Sequence, residues 1–228
     1  MTARLLLVRH GVTDWNREGR FQGHLDPPLA DDGRRQAILL GERLAQLGPR
    51  PSRVVSSTLG RALQTARLIA AALSDTGPRP ALVTDSRLME IGQGDWEGRT
   101  HRELAVAEPE HYEAWRRSEV PPPNAEPIED ARRRIAGLLA ELAGELEGCP
   151  EATLCLVSHG GILRLAAGEL LGLSLAQTWL LDVDNASLAS LTRGADGGWQ
   201  LERWNDVGHL LGRMTTHTDE SEGEPLAL

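Results

Sequence analysis

The sequence predicts an α/β fold, a three-layer sandwich with a mostly parallel central sheet flanked by helices. Three observations carry that expectation. Short strand-like apolar runs alternate with stretches of helical periodicity, the pattern of parallel α/β architecture. Three of the runs lead directly into a cationic or proton-bearing side chain, and ligand sites of open α/β sheets lie at such strand ends. The length, 228 residues, suits one domain of this class or two small ones.

The elements follow in order. Leu5 to Val8 forms the first strand, and residues 12 to 30 form a long loop of the kind that is usually functional. Ala37, Leu40, Leu44 and Leu47 have helical spacing, with Asp31 or Asp32 as the cap and Gly48-Pro49 as the stop. Arg53 to Ser56 is a strand, and Ala62, Ala66, Ile69 and Leu73 mark the helix after it. Ala81 to Thr84 is a third strand. Residues 91 to 127 break the alternation: short helices over 100–107 and 110–117 precede the stiff Pro121-Pro122-Pro123. This stretch reads as an insertion that lids the pocket. Pro127 starts a long helix to about Glu147, buried through Ile135, Leu138, Leu139, Leu142 and Leu146. The strand Leu154 to Val157 and a helix through Leu171 follow. Residues 187–192 and 199–204 form a hairpin around Gly197-Gly198. The expected organisation is one domain over 1–212 and an acidic, disordered tail over 213–228.

Composition narrows the function. The formal charge of −9 disfavours a nucleic-acid-binding surface, while a local arginine cluster still allows an anionic substrate. All 24 basic residues are arginine, which excludes a lysine Schiff base and a Walker-type phosphate loop. Cys149 and Cys155 have no metal-site spacing, and Cys155 reads as a small core residue. The seven histidines show no paired metal-ligand spacing, so neither metal nor cofactor is expected. With no apolar run near the ~20 residues of a membrane span and no leader pattern, the expected location is the cytoplasm.

The chemistry is concentrated at three strand ends. Arg9-His10-Gly11 follows the first strand, Ser56-Ser57-Thr58-Leu59-Gly60-Arg61 the second, and Ser158-His159-Gly160-Gly161 a later one. A guanidinium binds a phosphate dianion and a neutral imidazole can attack phosphorus. The glycines let backbone N–H groups approach an anion closely. Three such ends on one sheet edge point to a phosphate pocket. A serine hydrolase, suggested by Ser158-His159, lacks the G-x-S-x-G elbow. A non-catalytic phosphate sensor would be expected to lose His10 or Glu90, and both are present.

These stretches resemble the histidine phosphatase superfamily, in the branch that holds cofactor-dependent phosphoglycerate mutases and small broad-specificity phosphatases. The resemblance runs through Arg9 to Asn16, Gln22 to Leu29, Ser56 to Ala66, Leu88 to Gly98, Val157 to Gly161, Asn185-Ala186-Ser187 and Trp204-Asn205-Asp206. It implies that His10 is the nucleophile, that Arg9, Arg61 and His159 hold the transferring phosphoryl group, and that Glu90 is the general acid and base. Glu97 is its nearest competitor and reads as structural. Asn16, Gln22 and Gly23 are implied as substrate-binding loop residues.

The resemblance divides over what accepts the phosphoryl group. Arg116-Arg117 is similar to the arginine pair with which the mutases meet a substrate carboxylate. Ile91 to Gly98 resembles the phosphatases instead, and only 68 residues separate Glu90 from His159, short for a mutase insertion. Asn124-Ala125-Glu126-Pro127 keeps only the glutamate of the phosphatases' Gly-Gly-Glu-Ser. The expected function is therefore a phosphatase of small-metabolite phosphate monoesters, with a 2,3-bisphosphoglycerate-dependent phosphoglycerate mutase as the alternative. The expected partner is a small-molecule phosphate ester, without nucleic acid or membrane, and a homo-oligomer is compatible with the sequence.

Overall fold

The computed structural model describes residues 2–48, 50–149 and 151–211. Its strands are β1 (Arg4–Arg9), β2 (Arg53–Ser56), β3 (Ala81–Thr84), β4 (Thr153–Ser158), β5 (Leu188–Arg193) and β6 (Trp199–Asp206). They form one sheet in the order β3-β2-β4-β1-β5-β6. The pairs β3–β2, β2–β4 and β4–β1 are parallel, while β5 runs antiparallel to both β1 and β6. The mostly parallel sheet is as expected, and the hairpin supplies its one reversed strand.

Side chains alternate across β1 and β4, so each strand feeds two cores. Leu5, Leu7, Leu154 and Leu156 pack with α6 (Ile128–Glu147) and α7 (Gly160–Leu171). Leu6, Val8, Cys155 and Val157 face α2 (Asp31–Leu47) and α3 (Gly60–Ser74) on the other side. These are the three layers. Cys155 is fully buried in the second core, and burial pushes its thiol up to about 12.

Residues of the 91–127 stretch share a small core with the long loop. Within it, α4 (His101–Ala107) and α5 (Pro109–Arg116) gather Trp96, Leu104, Tyr112 and Trp115 around Phe21 from the long loop. Trp96 is fully buried, and its indole N–H donates to Glu108.

Three local expectations need correction. The α2 N-cap is Ala30, which makes no side-chain cap bond. Asp31 and Asp32 instead occupy the first turn, where a carboxylate favours the helix dipole without capping it. The long loop contains a one-turn helix, α1 (Asp14–Arg17), closed by a reciprocal cap between Thr13 and Asn16. A second short helix, α8 (Leu175–Thr178), follows α7 with the same kind of cap from Ser174 and Gln177. Pro49, the second half of the expected α2 stop, and the expected acidic tail over 213–228 lie outside the described residues.

Candidate active site

Parallel register brings the three motifs together. Arg9 lies beside Ser158, and Ser56 beside Val157, so the residues that follow leave the sheet at one edge. The His10 amide donates to the Ser158 carbonyl (3.0 Å) and the Ser57 amide to the Val157 carbonyl (2.9 Å). His10 and His159 thereby stand with ring centroids 5.1 Å apart. Gly11 permits the exit of the chain behind His10. A Cβ there would meet the Gly33 carbonyl oxygen at 2.3 Å, so only glycine allows α2 to close up on the site.

The His10 ring is 3% exposed, and its Nδ1 lies 2.8 Å from the Gly11 carbonyl. A carbonyl only accepts, so Nδ1 carries the proton and Nε2 keeps its lone pair. Burial pushes the His10 pKa well below 6.5, and Arg61 and Arg9 add to the shift. His159 is shifted the same way, by burial and then Arg61. Its Nε2 is 2.9 Å from the Ser57 hydroxyl, while its Nδ1 is buried with no partner.

Arg9 and Arg61 are each fastened by backbone. Arg9 donates to the Val183 carbonyl at 2.5 Å. Arg61 donates to the carbonyls of Leu25 (2.7 Å) and Gly23 (2.9 Å) and lies 3.3 Å from Asp26. Asp26 also accepts from the amides of Gly60 and Arg61, so a long-loop side chain caps α3 where Leu59 cannot. Burial lowers Arg9 to about 10, with Arg164 as the next cause, and burial lowers Arg61 as well. The Nε atoms of both arginines are buried without a partner, as is Gln22 Oε1. These atoms are free to bond a ligand at this edge.

Glu90 crosses to the start of α7. Its carboxylate accepts from the amides of Ile91 (2.9 Å), Gly161 (3.2 Å) and Ile162 (3.3 Å). Glu97 does not compete for this place. It accepts from the amides of His24, Leu25 and Gln93 and holds the long loop to the insertion, as its structural reading expects.

A cavity of about 720 Å³ opens at this edge. Arg9, His10, Asn16, Gln22, Gly23 and Glu90 line it, with Arg61 and His159 buried behind. Asn16 Oδ1 is used by Thr13 and by the Asn185 amide, which also donates to the His10 carbonyl. Arg116 and Arg117 do not line the cavity: Arg116 pairs with Glu113 and Arg117 with Glu119. Arg164 was not anticipated. It is 5% exposed, lines the cavity, donates through Nε to the Leu181 carbonyl (2.7 Å) and lies over Trp179. Its signal in the sequence was a single arginine inside the apolar helix Gly161 to Leu171. Among the described residues, no group of three or more His, Cys, Asp or Glu is placed to hold a metal ion.

The α/β sheet edge joins a neutral histidine to buried arginines and a carboxylate, the groups that phosphoryl transfer through a histidine requires. The histidine phosphatase superfamily (branch 1) matches residues 5–207. A glucosyl-3-phosphoglycerate phosphatase of Mycolicibacterium vanbaalenii is 38% identical over 219 residues, 89% of this chain and 94% of that protein. Phosphoglycerate mutase-like protein 4 of Arabidopsis thaliana is 32% identical over 91% of this chain and 87% of its own length. The solved alpha-ribazole phosphatase of Shigella flexneri superposes with a TM-score of 0.76 at 30% identity, covering 90% of this chain and 96% of that one. The chain belongs to the histidine phosphatase superfamily.

Proposed function

We propose that this chain hydrolyses phosphate monoesters of small metabolites through a phosphohistidine formed on Nε2 of His10. The observation that carries the reading is the His10 ring itself: neutral, with Nδ1–H tied to the Gly11 carbonyl and Nε2 left to attack. In the first step the Nε2 lone pair forms the N–P bond. The P–O ester bond breaks, and the leaving oxygen takes a proton from Glu90. In the second step water attacks phosphorus and Glu90 takes a proton from it. The N–P bond breaks and its electron pair returns to Nε2. Arg9, Arg61 and His159 bind the phosphoryl oxygens as charge develops, with Arg164 adding positive charge beside Arg9. Asn16, Gln22 and the backbone at Gly23 contribute polar contacts from the long loop.

The arginines supply the charge for which many phosphatases use a cation, so the reaction is independent of metal. We place it in the cytoplasm. Phosphoglycerate derivatives, sugar phosphates, phosphoserine and α-ribazole phosphate are the substrates the family resemblance suggests. The mutase alternative needs a carboxylate-binding pair over the intermediate, and the position of Arg116 and Arg117 off the cavity wall weighs against it.

The test is His10→Ala with p-nitrophenyl phosphate in EDTA. Activity should fall at least about a thousandfold, since binding and oxyanion stabilisers do not replace a nucleophile. Alkaline quenching of wild-type turnover should trap an acid-labile phosphate on the His10 peptide. Wild-type-like activity in His10→Ala would refute the reading.

A further inference from the structure

The cavity is far larger than a phosphoryl group requires, and its outer part differs from the phosphate end. Its apolar surface comes from Phe21, Trp115, Pro121, Ile128, Leu175 and Trp179, so the long loop, the insertion and the α6–α8 region all contribute. Aromatic and aliphatic surface on several sides favours a leaving group with an apolar face of its own.

The charges of the outer wall point the same way. Glu119, Glu126 and Glu129 line it. Each is paired with an arginine that does not line the cavity: Arg117, Arg134 and Arg132 respectively. The carboxylates therefore stand on the wall and their counter-charges stand behind it. Among the described residues, the arginines on the wall are Arg9, Arg20 and Arg164. Arg9 and Arg164 belong to the phosphate end. Arg20 donates to Glu18 and to the Gly98 carbonyl, with Glu103 3.7 Å away. A substrate carboxylate would lie beside carboxylates that stand on the cavity side of their ion pairs, and Arg20, the outer-wall arginine among the described residues, is already engaged by Glu18.

We infer that the preferred substrate is a phosphate monoester whose leaving group carries a large apolar face and no anionic group. This rests on reading the His10 end as the phosphoryl site. It separates the chain from enzymes that act on phosphorylated hydroxy acids, because the outer wall disfavours the second negative charge of such a substrate.

Binding tests the inference without turnover. Benzylphosphonate and para-carboxybenzylphosphonate share a ring and a non-hydrolysable C–P bond and differ in one carboxylate. Calorimetric titration of the wild-type protein should give at least about tenfold tighter binding for benzylphosphonate, a discrimination within the range of a shaped apolar pocket. It should also bind more tightly than methylphosphonate. Glu129→Arg places a cation on the wall at a largely exposed position and should narrow the carboxylate penalty several-fold. Equal or tighter binding of the carboxylated compound, or equal binding of methylphosphonate, overturns the inference. Hydrolysis of p-nitrophenyl phosphate is scored separately. A protein that shows the binding preference but leaves the ester intact contradicts the phosphatase reading alone.

Discussion

Gly161→Ala tests the placement of Glu90 more sharply than removing the carboxylate does. Gly161 is the second residue of α7, and a Cβ built there lies 2.7 Å from Glu90 Oε1 and 2.8 Å from Ile91 Cδ1. Ordinary contact begins at 3.4 Å, so the carboxylate must retreat by about 0.7 Å. Its bonds from Gly161 and Ile162 already measure 3.2 and 3.3 Å, and a retreat of that size breaks both. The clashing atoms are the far ends of flexible side chains, so the fold gives way cheaply. An off-rotamer cost of about 1 kcal/mol opposes a helix-propensity gain of at most about 1 kcal/mol for alanine over glycine. Stability in urea should therefore stay within about 1 kcal/mol of wild type. Catalysis should not: misplacing a catalytic group by about 1 Å costs on the order of a hundredfold. The loss should fall on alkyl phosphates, whose leaving oxygen needs the proton. Aryl phosphates need little protonation and should lose only a few-fold. Glu90→Gln sets the upper limit on the same two substrates. Equal losses on both substrate types, or full alkyl phosphatase activity in Gly161→Ala, would refute the assignment of Glu90.

Two further predictions follow from the surroundings of the site. His10 and His159 have folded pKa values well below the ordinary 6.5, so protonation of the nucleophile should not lower kcat/KM for an aryl phosphate as pH falls through 6.5. The unfolded chain binds protons there and the folded one does not, so stability measured by urea denaturation should fall as pH drops below 6.5; a pH-independent stability with an activity limb at 6.5 would contradict both statements. Asn205, at φ +53°, exchanges two bonds with Asp184 (2.7 and 2.8 Å) and so tethers the 181–187 segment whose carbonyls hold Arg9 and Arg164. Asn205→Gly keeps that backbone conformation and removes the tether, so KM and vanadate Ki should rise several-fold while the fold persists, and unchanged values would show that the segment holds itself.

Much of the fold and site was legible because the decisive signals are local. A strand that ends in Arg-His-Gly or Ser-His-Gly places its histidine at the sheet edge whatever the strand order. The two short helices were less visible, although Ser174 and Gln177 form a regular capping pattern. Thr13 was harder, because asparagine replaces the usual glutamate or glutamine at the third position. Arg164 was missed because its helix reads as apolar on all sides. A charge there had to be buried, and a buried arginine needs a reason. The placing of Arg116 and Arg117 depended on which face of α5 is buried. Tyr112 and Trp115 fix that face by their three-residue spacing, and Arg117 lies about half a turn round from Trp115. Strand order and the shared role of the 181–187 segment depend on long-range pairing that no local pattern carries.

The arginines are held in a way that preserves their charge for a ligand. Arg9 is fastened by the Val183 carbonyl, Arg164 by that of Leu181, and Arg61 by those of Gly23 and Leu25, with a single Asp26 oxygen 3.3 Å away that offsets part of the Arg61 charge. Carbonyl dipoles fix the direction of a guanidinium without cancelling its charge. A close bidentate carboxylate would fix it equally well and neutralise it, as Glu126 does to Arg134 elsewhere in the protein. Burial and repulsion from Arg164 lower the pKa of Arg9, an electrostatic cost that a phosphate dianion would relieve. Positive charge is thus in position before the substrate arrives, and little reorganisation remains for the moment of phosphoryl transfer. Glu90 is the carboxylate that all three arginines feel, and its oxygens are held by backbone amides. In the proposed mechanism those amides keep it aimed at the leaving oxygen rather than collapsed onto a guanidinium, and Gly161, which donates one of them and has no Cβ to displace the carboxylate, matters to that placement.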